Sequence, residues 1–397
     1  MKGFSLTGLL LSMAFCLAAQ EQFQKKFQRQ FIDAENGSVI LLPEGTFQLV
    51  GSLWLDGKKN IVIRGAGENK TILNFGSQVS GAEGLKITNS SAITISDLTV
   101  QDTKGDAIKT QLVDGIIFRN VKAEWTRGPN KNNGGYGLYP VQCTNVLIDH
   151  CTARGASDAG IYVGQSKFII VKNSKAYENV AGIEIENSLY ADVFENEVYN
   201  NTGGILVFDL PDLIQKKGGY VRVFKNNIHD NNHANFAPKG NIVGKVPPGT
   251  GLMILATNFL EAFENRITNN ITAGTAIISY YMTENPINDS TYHPYPGDIY
   301  IHDNYYERPH VRATGKGRMG KMYRFKLRFG KDVPHIIYDG VEDKNRNERS
   351  ICIQKNTHVT FANIDADGGF KKINRDLSPH DCSRVPIEPV VFSTRAE

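Results

Sequence analysis

Short apolar segments of this chain recur at a nearly constant interval, and that recurrence limits the fold more than any other property of the sequence. The segments that open at 107-AIKTQ, 137-GLYPV, 160-GIYVG, 182-GIEIE, 204-GILVF and 251-GLMIL start 30, 23, 22, 22 and 47 residues apart. The unit is therefore about 22 residues, with a longer loop before 137 and an insertion before 251. A second short run follows at a regular offset: 146-VLI, 169-IIV, 191-ADVF, 221-VRVF and 260-LEAF, and also 93-ITI, 116-IIF and 299-IYI. Apolar and polar residues alternate with period two inside these runs, and Gly and Asn bound them, which specifies strands and excludes helices. One such unit cannot bury its own apolar face. Stacked units bury a continuous core, so the expected fold is an all-β solenoid, the parallel β-helix. A leucine-rich horseshoe has a similar period, but its leucine signature is missing.

Two or three positions beyond the end of each second run stand Leu98, Val121, Cys151, Ser174, Asn196, Asn226, Asn265 and Asn304. The four asparagines predict a ladder at an inward turn, each amide bonding the next. Cys151 then reads as a small residue stacked in the same column.

Composition narrows the class. With 397 residues, 41% hydrophobic and 21% charged, the chain is too apolar for disorder, and a net charge of +3 steers it to neither nucleic acid nor a membrane surface. Lys2 precedes an apolar run from Phe4 to Ala19 that is too short to span a bilayer. Residues 1–19 read as a cleaved signal peptide, so the mature protein is expected to be secreted or periplasmic, without a membrane span. In that oxidising setting Cys352–Cys382 is the one disulfide considered, because the strand 145–149 holds Cys143 and Cys151 too far apart.

The stretch 39-VILLPEGTFQL-49 followed by 61-IVIRGAGENKTIL-73 resembles the opening of right-handed parallel β-helix proteins of the pectate-lyase-like superfamily. The resemblance covers about residues 20–306 and implies a right-handed helix of rungs. Within the superfamily the chain looks closest to secreted bacterial β-helix repeat proteins of unestablished activity. That group occurs alongside c-type cytochromes, which implies a periplasmic redox protein as a partner. Phe23, Phe27 and Phe31 recur every four residues and predict an amphipathic helix capping the first rung. Residues 307–397 leave the repeat register and read as an irregular C-terminal appendage packed on the helix. Its basic run 312–331 reads as a solvated or packed strand pair, with no nucleic-acid role.

Outward positions of the first strand form a stripe: Lys109, Tyr139, Tyr162, Glu184, Leu206 and Met253, with Gln111, Val141, Gly164, Glu186, Phe208 and Leu255 two residues on. Loops 124–136 and 232–250 on one edge and 209–220 on the other are expected to wall a groove over this stripe. Tyrosines, a lysine and carboxylates in a groove suit a carbohydrate chain. Lyase or C5-epimerase chemistry on an acidic polysaccharide needs a cation for the sugar carboxylate, a base and an acid. Lys109 or Arg127 could neutralise, and Tyr139 or Tyr162 could serve as base or acid. Glu184 with Asp158 or Glu186 could instead hydrolyse. The candidate catalytic residues are thus Lys109, Tyr139, Tyr162 and Glu184, and the candidate binding residues Arg127, Asp158, Glu186 and Asp209. Asp106 and Asp158 also sit where turn formation would need them, and His150 reads as a turn residue. The alternative function is a noncatalytic binding module that uses Leu206, Phe208, Met253 and Leu255 as a protein contact. No cofactor is expected. The run 363-NIDADGG-369 resembles a calcium loop but has Asn374 at its twelfth position. The run 378-SPHDC-382 resembles the Asp-Pro-His-Asp motif of mannuronan C5-epimerases with Ser378 in place of its first acid, so no role passes to His380 or Asp381.

Overall fold

The computed structural model describes residues 23–313, 322, 325–327, 331–345 and 350–393. The expected signal peptide and most of the basic run lie outside the described residues. Parallel strands stack in register into three faces of a right-handed β-helix. Tyr136–Val141, Ala159–Gly164, Ala181–Glu186, Gly203–Phe208, Thr250–Leu255 and Ala273–Ile278 pair successively on the first face. The second face runs through Lys167–Lys172, Leu189–Phe194, Gly219–Phe224, Asn258–Phe263 and Gly297–His302. Three-residue strands from Thr152–Arg154 to Tyr305–Glu307 form the third. The period-two alternation explains the core: Ile161, Ile183, Ile205 and Leu252 point inward in one buried row, while Tyr162, Glu184, Leu206 and Met253 point outward. Residues 23–33 are helical and bury Phe27 and Phe31 against the first rung, as their spacing predicts.

The asparagine ladder is present. Asn196 Nδ2 donates to Asn226 Oδ1 at 3.0 Å, Asn226 to Asn265 at 3.0 Å and Asn265 to Asn304 at 2.9 Å, and Asn304 hands on to Asn356 at 2.9 Å. A second ladder, Asn179 to Asn201 to Asn231 to Asn270, runs at another corner with links of 3.0, 2.9 and 3.1 Å. Buried turns carry backbone groups that no strand satisfies, and each amide supplies both a donor and an acceptor there. Cys151 is buried and its N–H donates to Ser174 Oγ, which bears out its place in the column.

The repeat does not stop at 306. Ile336–Tyr338, Ile351–Gln354 and Phe361–Asn363 continue the parallel stack, so the irregular region begins after residue 363. The described part of the basic run includes helical residues at 322 and 325–326, with Met322 and Leu327 buried, rather than a strand pair. The run 363–369 is a turn in which Asp365 accepts the Lys372 N–H at 2.8 Å. Beyond it the tail crosses the second face, where the N–H groups of Ile387 and Val390 donate to Glu261 and Asp192.

Cys352 and Cys382 are bonded and tie this tail to the last rungs, while Cys143 and Cys151 are free. The closed loop spans 30 residues. Replacing both bridged cysteines with alanine is expected to lower unfolding free energy by about 3 kcal/mol. Urea unfolding monitored by circular dichroism reads this directly.

Candidate functional site

The outward stripe is not open. Residues 232–250 lie across it as a strap, rather than beside it as a wall. A short 3-10 turn, Ile242–Lys245, presses Val243 onto the stripe, and Val246 follows it into a cluster with Tyr162, Leu206, Phe208, Met253 and Leu255. Asn235 Nδ2 pins the turn through the carbonyls of Val243 and Val246 at 2.9 and 3.0 Å. Lys245 reaches across to the Thr283 carbonyl and Asn285 Oδ1. Two glycines in the left-handed region shape the strap, Gly240 in its middle at φ +100° and Gly249 where it rejoins the solenoid at φ +90°. A Cβ at Gly249 would meet Ile271 at 2.4 Å, so only glycine allows that return.

Polar groups gather under the strap. Glu184 and Glu186 share an outward face of one strand, two residues and about 7 Å apart along it. Tyr162, one rung below, donates its hydroxyl to Glu186 Oε1 at 2.6 Å. Tyr136, Tyr139 and Tyr162 pack with ring centroids 4.4 to 5.0 Å apart, and the Lys109 ammonium sits 4.8 Å over the Tyr139 ring. Asp158, just before Ala159–Gly164, accepts Asn241 Nδ2 of the strap at 2.7 Å and the Tyr136 hydroxyl. Asp106 accepts the Tyr136 N–H at 3.2 Å, a turn-forming role; the matching expectation for Asp158 fails, because its carboxyl faces the strap. Asp209 accepts the Gly218 N–H at 2.8 Å.

Glu184 stands apart. It is 1% exposed, and its Oε2 has no hydrogen-bond partner among the described residues. Burial first, then the charges of Asp158 and Glu186, hold its carboxyl well above the usual carboxylate range. Burial likewise pushes Asp158 and Asp209 to about 7 and Asp106 to about 6, and raises Glu186 against the hydrogen bond from Tyr162. The hydroxyls of Tyr136, Tyr139 and Tyr162 are pushed up by burial and the neighbouring carboxylates, so they keep their protons and serve as donors rather than bases. The sequence-derived set thus converges at Lys109, Tyr139, Tyr162, Glu184, Asp158, Glu186 and Asp209. Arg127 does not join it: it is exposed on a loop anchored by inward Trp125, whose Nε1 donates to the Thr103 carbonyl at 2.8 Å. Tyr136, Asp106 and Asn241 are the members not singled out as site residues beforehand. No group of His, Cys, Asp or Glu among the described residues could hold a metal ion.

These raised carboxyls set the pH dependence. In the unfolded chain they ionise near 4, whereas folded Asp158 and Asp209 keep their protons to about 7, so folding takes up protons between those values. Stability conferred by the protonated forms is complete below pH 4 and lost as pH rises through 7. The thermal midpoint is therefore expected to fall from pH 5 to pH 8, and Asp158→Asn to flatten that fall, in calorimetric scans of both proteins.

A larger cavity of about 720 Å³ lies on the second face, between Tyr190, Tyr220 and Phe259 and the tail at 385–388. Its carboxyls are already engaged: Glu261 accepts from His302 Nε2 and the Ile387 N–H, and Asp298 pairs with Arg384 at 2.6 Å. Its aromatic rings stack on one another at 4.7 to 5.1 Å and turn their edges outward. Size notwithstanding, the ionisable chemistry belongs to the cluster under the strap.

Among curated proteins no sequence matches this chain. Solved structures are similar in fold: the A-module of mannuronan C-5 epimerase AlgE4 of Azotobacter vinelandii, at 14% identity and a TM-score of 0.54 over 85% of this chain and 90% of that one. The AlgE6 A-module of the same organism gives 14%, 0.48, 86% and 90%, and alginate lyase AlyF-OU02 in complex with G6 gives 12%, 0.44, 86% and 82%. At such identities the likeness concerns the backbone and assigns no residue. The profile of the right-handed beta helix region matches residues 83–292, more than half of the chain, and the chain belongs to that family.

Proposed function

We propose that this protein is an extracytoplasmic carbohydrate-active enzyme that cleaves a glycosidic bond by carboxyl acid–base chemistry, with Glu184 as the acid and Glu186 as its partner. The observation that carries this reading is the Glu184 carboxyl, buried and unpartnered at Oε2 among the described residues, in surroundings that favour its protonated form. A leaving glycosidic oxygen needs a carboxylic acid that keeps its proton at neutral pH beside a second carboxyl of different environment. Glu186, oriented by Tyr162, is that second group. Tyr136 and Tyr139, which are only half-buried, would offer apolar area to a sugar face. Support from outside the site is general: the fold neighbour at TM-score 0.54 is named for a reaction on a polysaccharide. The Cys352–Cys382 bond suits an exported protein.

Charge favours hydrolysis over elimination or epimerisation of a uronate. Those reactions need a cation at the sugar carboxylate and a base, whereas Lys109 already lies over Tyr139 and the tyrosines retain their protons. For the noncatalytic reading, Leu206, Phe208, Met253 and Leu255 are buried under the strap, so a protein partner would reach them only once the strap opens, as a glycan would reach Glu184.

The test is incubation of the mature protein with neutral, amino and uronate oligosaccharides in D₂O, followed by proton NMR. New reducing ends are expected. Unsaturated ends or deuterium at C5 would replace hydrolysis with elimination or epimerisation, and silence on every glycan would overturn the enzymatic reading.

A further inference from the structure

We infer that the glycan accepted under the strap carries an amine, so that a cationic amino sugar is the substrate class. The inference rests on the enzymatic reading above and narrows it. Asp158, Glu184 and Glu186 come from two neighbouring rungs, are all buried, and lie close enough for the first and last to act on Glu184 by charge. Among the described residues no lysine, arginine or histidine is hydrogen-bonded or ion-paired with any of them. Lys109 and Lys86 act on Asp106 and Lys217 on Asp209, at the margins of the cluster. Desolvated carboxyls without a cation are expensive to ionise; an organic ammonium brought beside Asp158 offsets that cost there as no neutral group can, while Glu184 keeps its proton and accepts through its carbonyl oxygen.

The strap already marks where such a nitrogen would sit. Its Asn241 side chain offers an uncharged NH₂ to Asp158 Oδ2, while of its two lysines Lys239 is exposed and Lys245 turns away to Thr283 and Asn285. Among the described residues Glu184 Oε2 has no donor. An ammonium carries three N–H donors in diverging directions, which suits acceptors spread over separate residues. It suits them better than a metal ion does, because no group of three or more His, Cys, Asp or Glu among the described residues converges closely enough to hold a metal. A uronate would add negative charge to the same space, and an N-acetylated sugar would leave it unneutralised. Opening the strap exchanges Asn241 for the substrate amine.

Isothermal titration of the mature protein with glucosamine hexamer, N-acetylglucosamine hexamer and hexamannuronate at 0.15 M salt tests this. The glucosamine hexamer is expected to bind at least about 10-fold more tightly than the other two, and Asp158→Asn to reduce that preference to less than about 3-fold. General attraction of a polycation is disfavoured by the protein's own charge of +3. A glucosamine preference that survives Asp158→Asn unchanged would overturn the inference, as would equal or tighter binding of the acetylated or uronate hexamer. Calcium binding that is lost in Asp158→Asn, without amine selectivity, would overturn it in favour of a metal. If acetylated or uronate glycans are cleaved in a Glu184-dependent way, only the amine fails and the enzymatic reading stands. If no hexamer binds and none is cleaved, both fail.

Discussion

Glu184→Gln is expected to reduce turnover by about 10²–10⁴-fold, the range a positioned general acid contributes, while leaving the fold intact. The change is nearly isosteric, so the strap still closes over the same volume, and it removes only the acidic proton. Because Glu184 has an unpartnered oxygen and no counter-ion, the neutral amide is not expected to destabilise the protein. The thermal midpoint should hold or rise while catalysis is lost. That combination separates a chemical role from a structural one. Retained turnover in a folded Glu184→Gln protein would remove the acid from the proposed mechanism.

The largest effect on stability is expected in the asparagine ladder. Asn226 donates to the Val193 carbonyl at 2.9 Å and to Asn265 Oδ1 at 3.0 Å, and accepts both the N–H and the side-chain amide of Asn196 at 3.1 and 3.0 Å. Asn226→Ala leaves those buried partners unsatisfied and opens a gap between rungs. About 4 kcal/mol of unfolding free energy should be lost, readable as a lower urea midpoint. Asn226→Ser should lose less, because Ser174 holds the same column by accepting the Cys151 N–H and donating to the Lys172 carbonyl.

Much of the fold was legible because a rung repeats its pattern of burial. Period-two alternation at Ile183 and Ile185 leaves Glu184 and Glu186 outward whatever surrounds them, and the 22-residue interval brings Tyr162 beside Glu184 in register. The second ladder was equally legible in principle: Asn179 and Asn201 stand 22 residues apart, and the longer steps to Asn231 and Asn270 match the inserted loops. The last rungs were hidden for a different reason. Residues 308–335 interrupt the register before Ile336–Tyr338, so the strands after them lack a neighbour at the expected distance. The strap was hidden because its position depends on contacts far apart in sequence. Asn241 and Asp158 are 83 residues apart, and no periodicity connects them. An outward residue was therefore expected to be exposed, whereas the insertion that was expected to wall the groove covers it.

Carbon-13 NMR of protein labelled at the glutamate and aspartate carboxyls, titrated from pH 4 to 9, tests the central claim without knowledge of the substrate. The account predicts a glutamate resonance that titrates well above the ordinary carboxylate range and is absent from Glu184→Gln, together with aspartates that titrate near 7. If every glutamate carboxyl completes its titration below about pH 5, near its ordinary value, no acid is held in reserve under the strap and the account is contradicted.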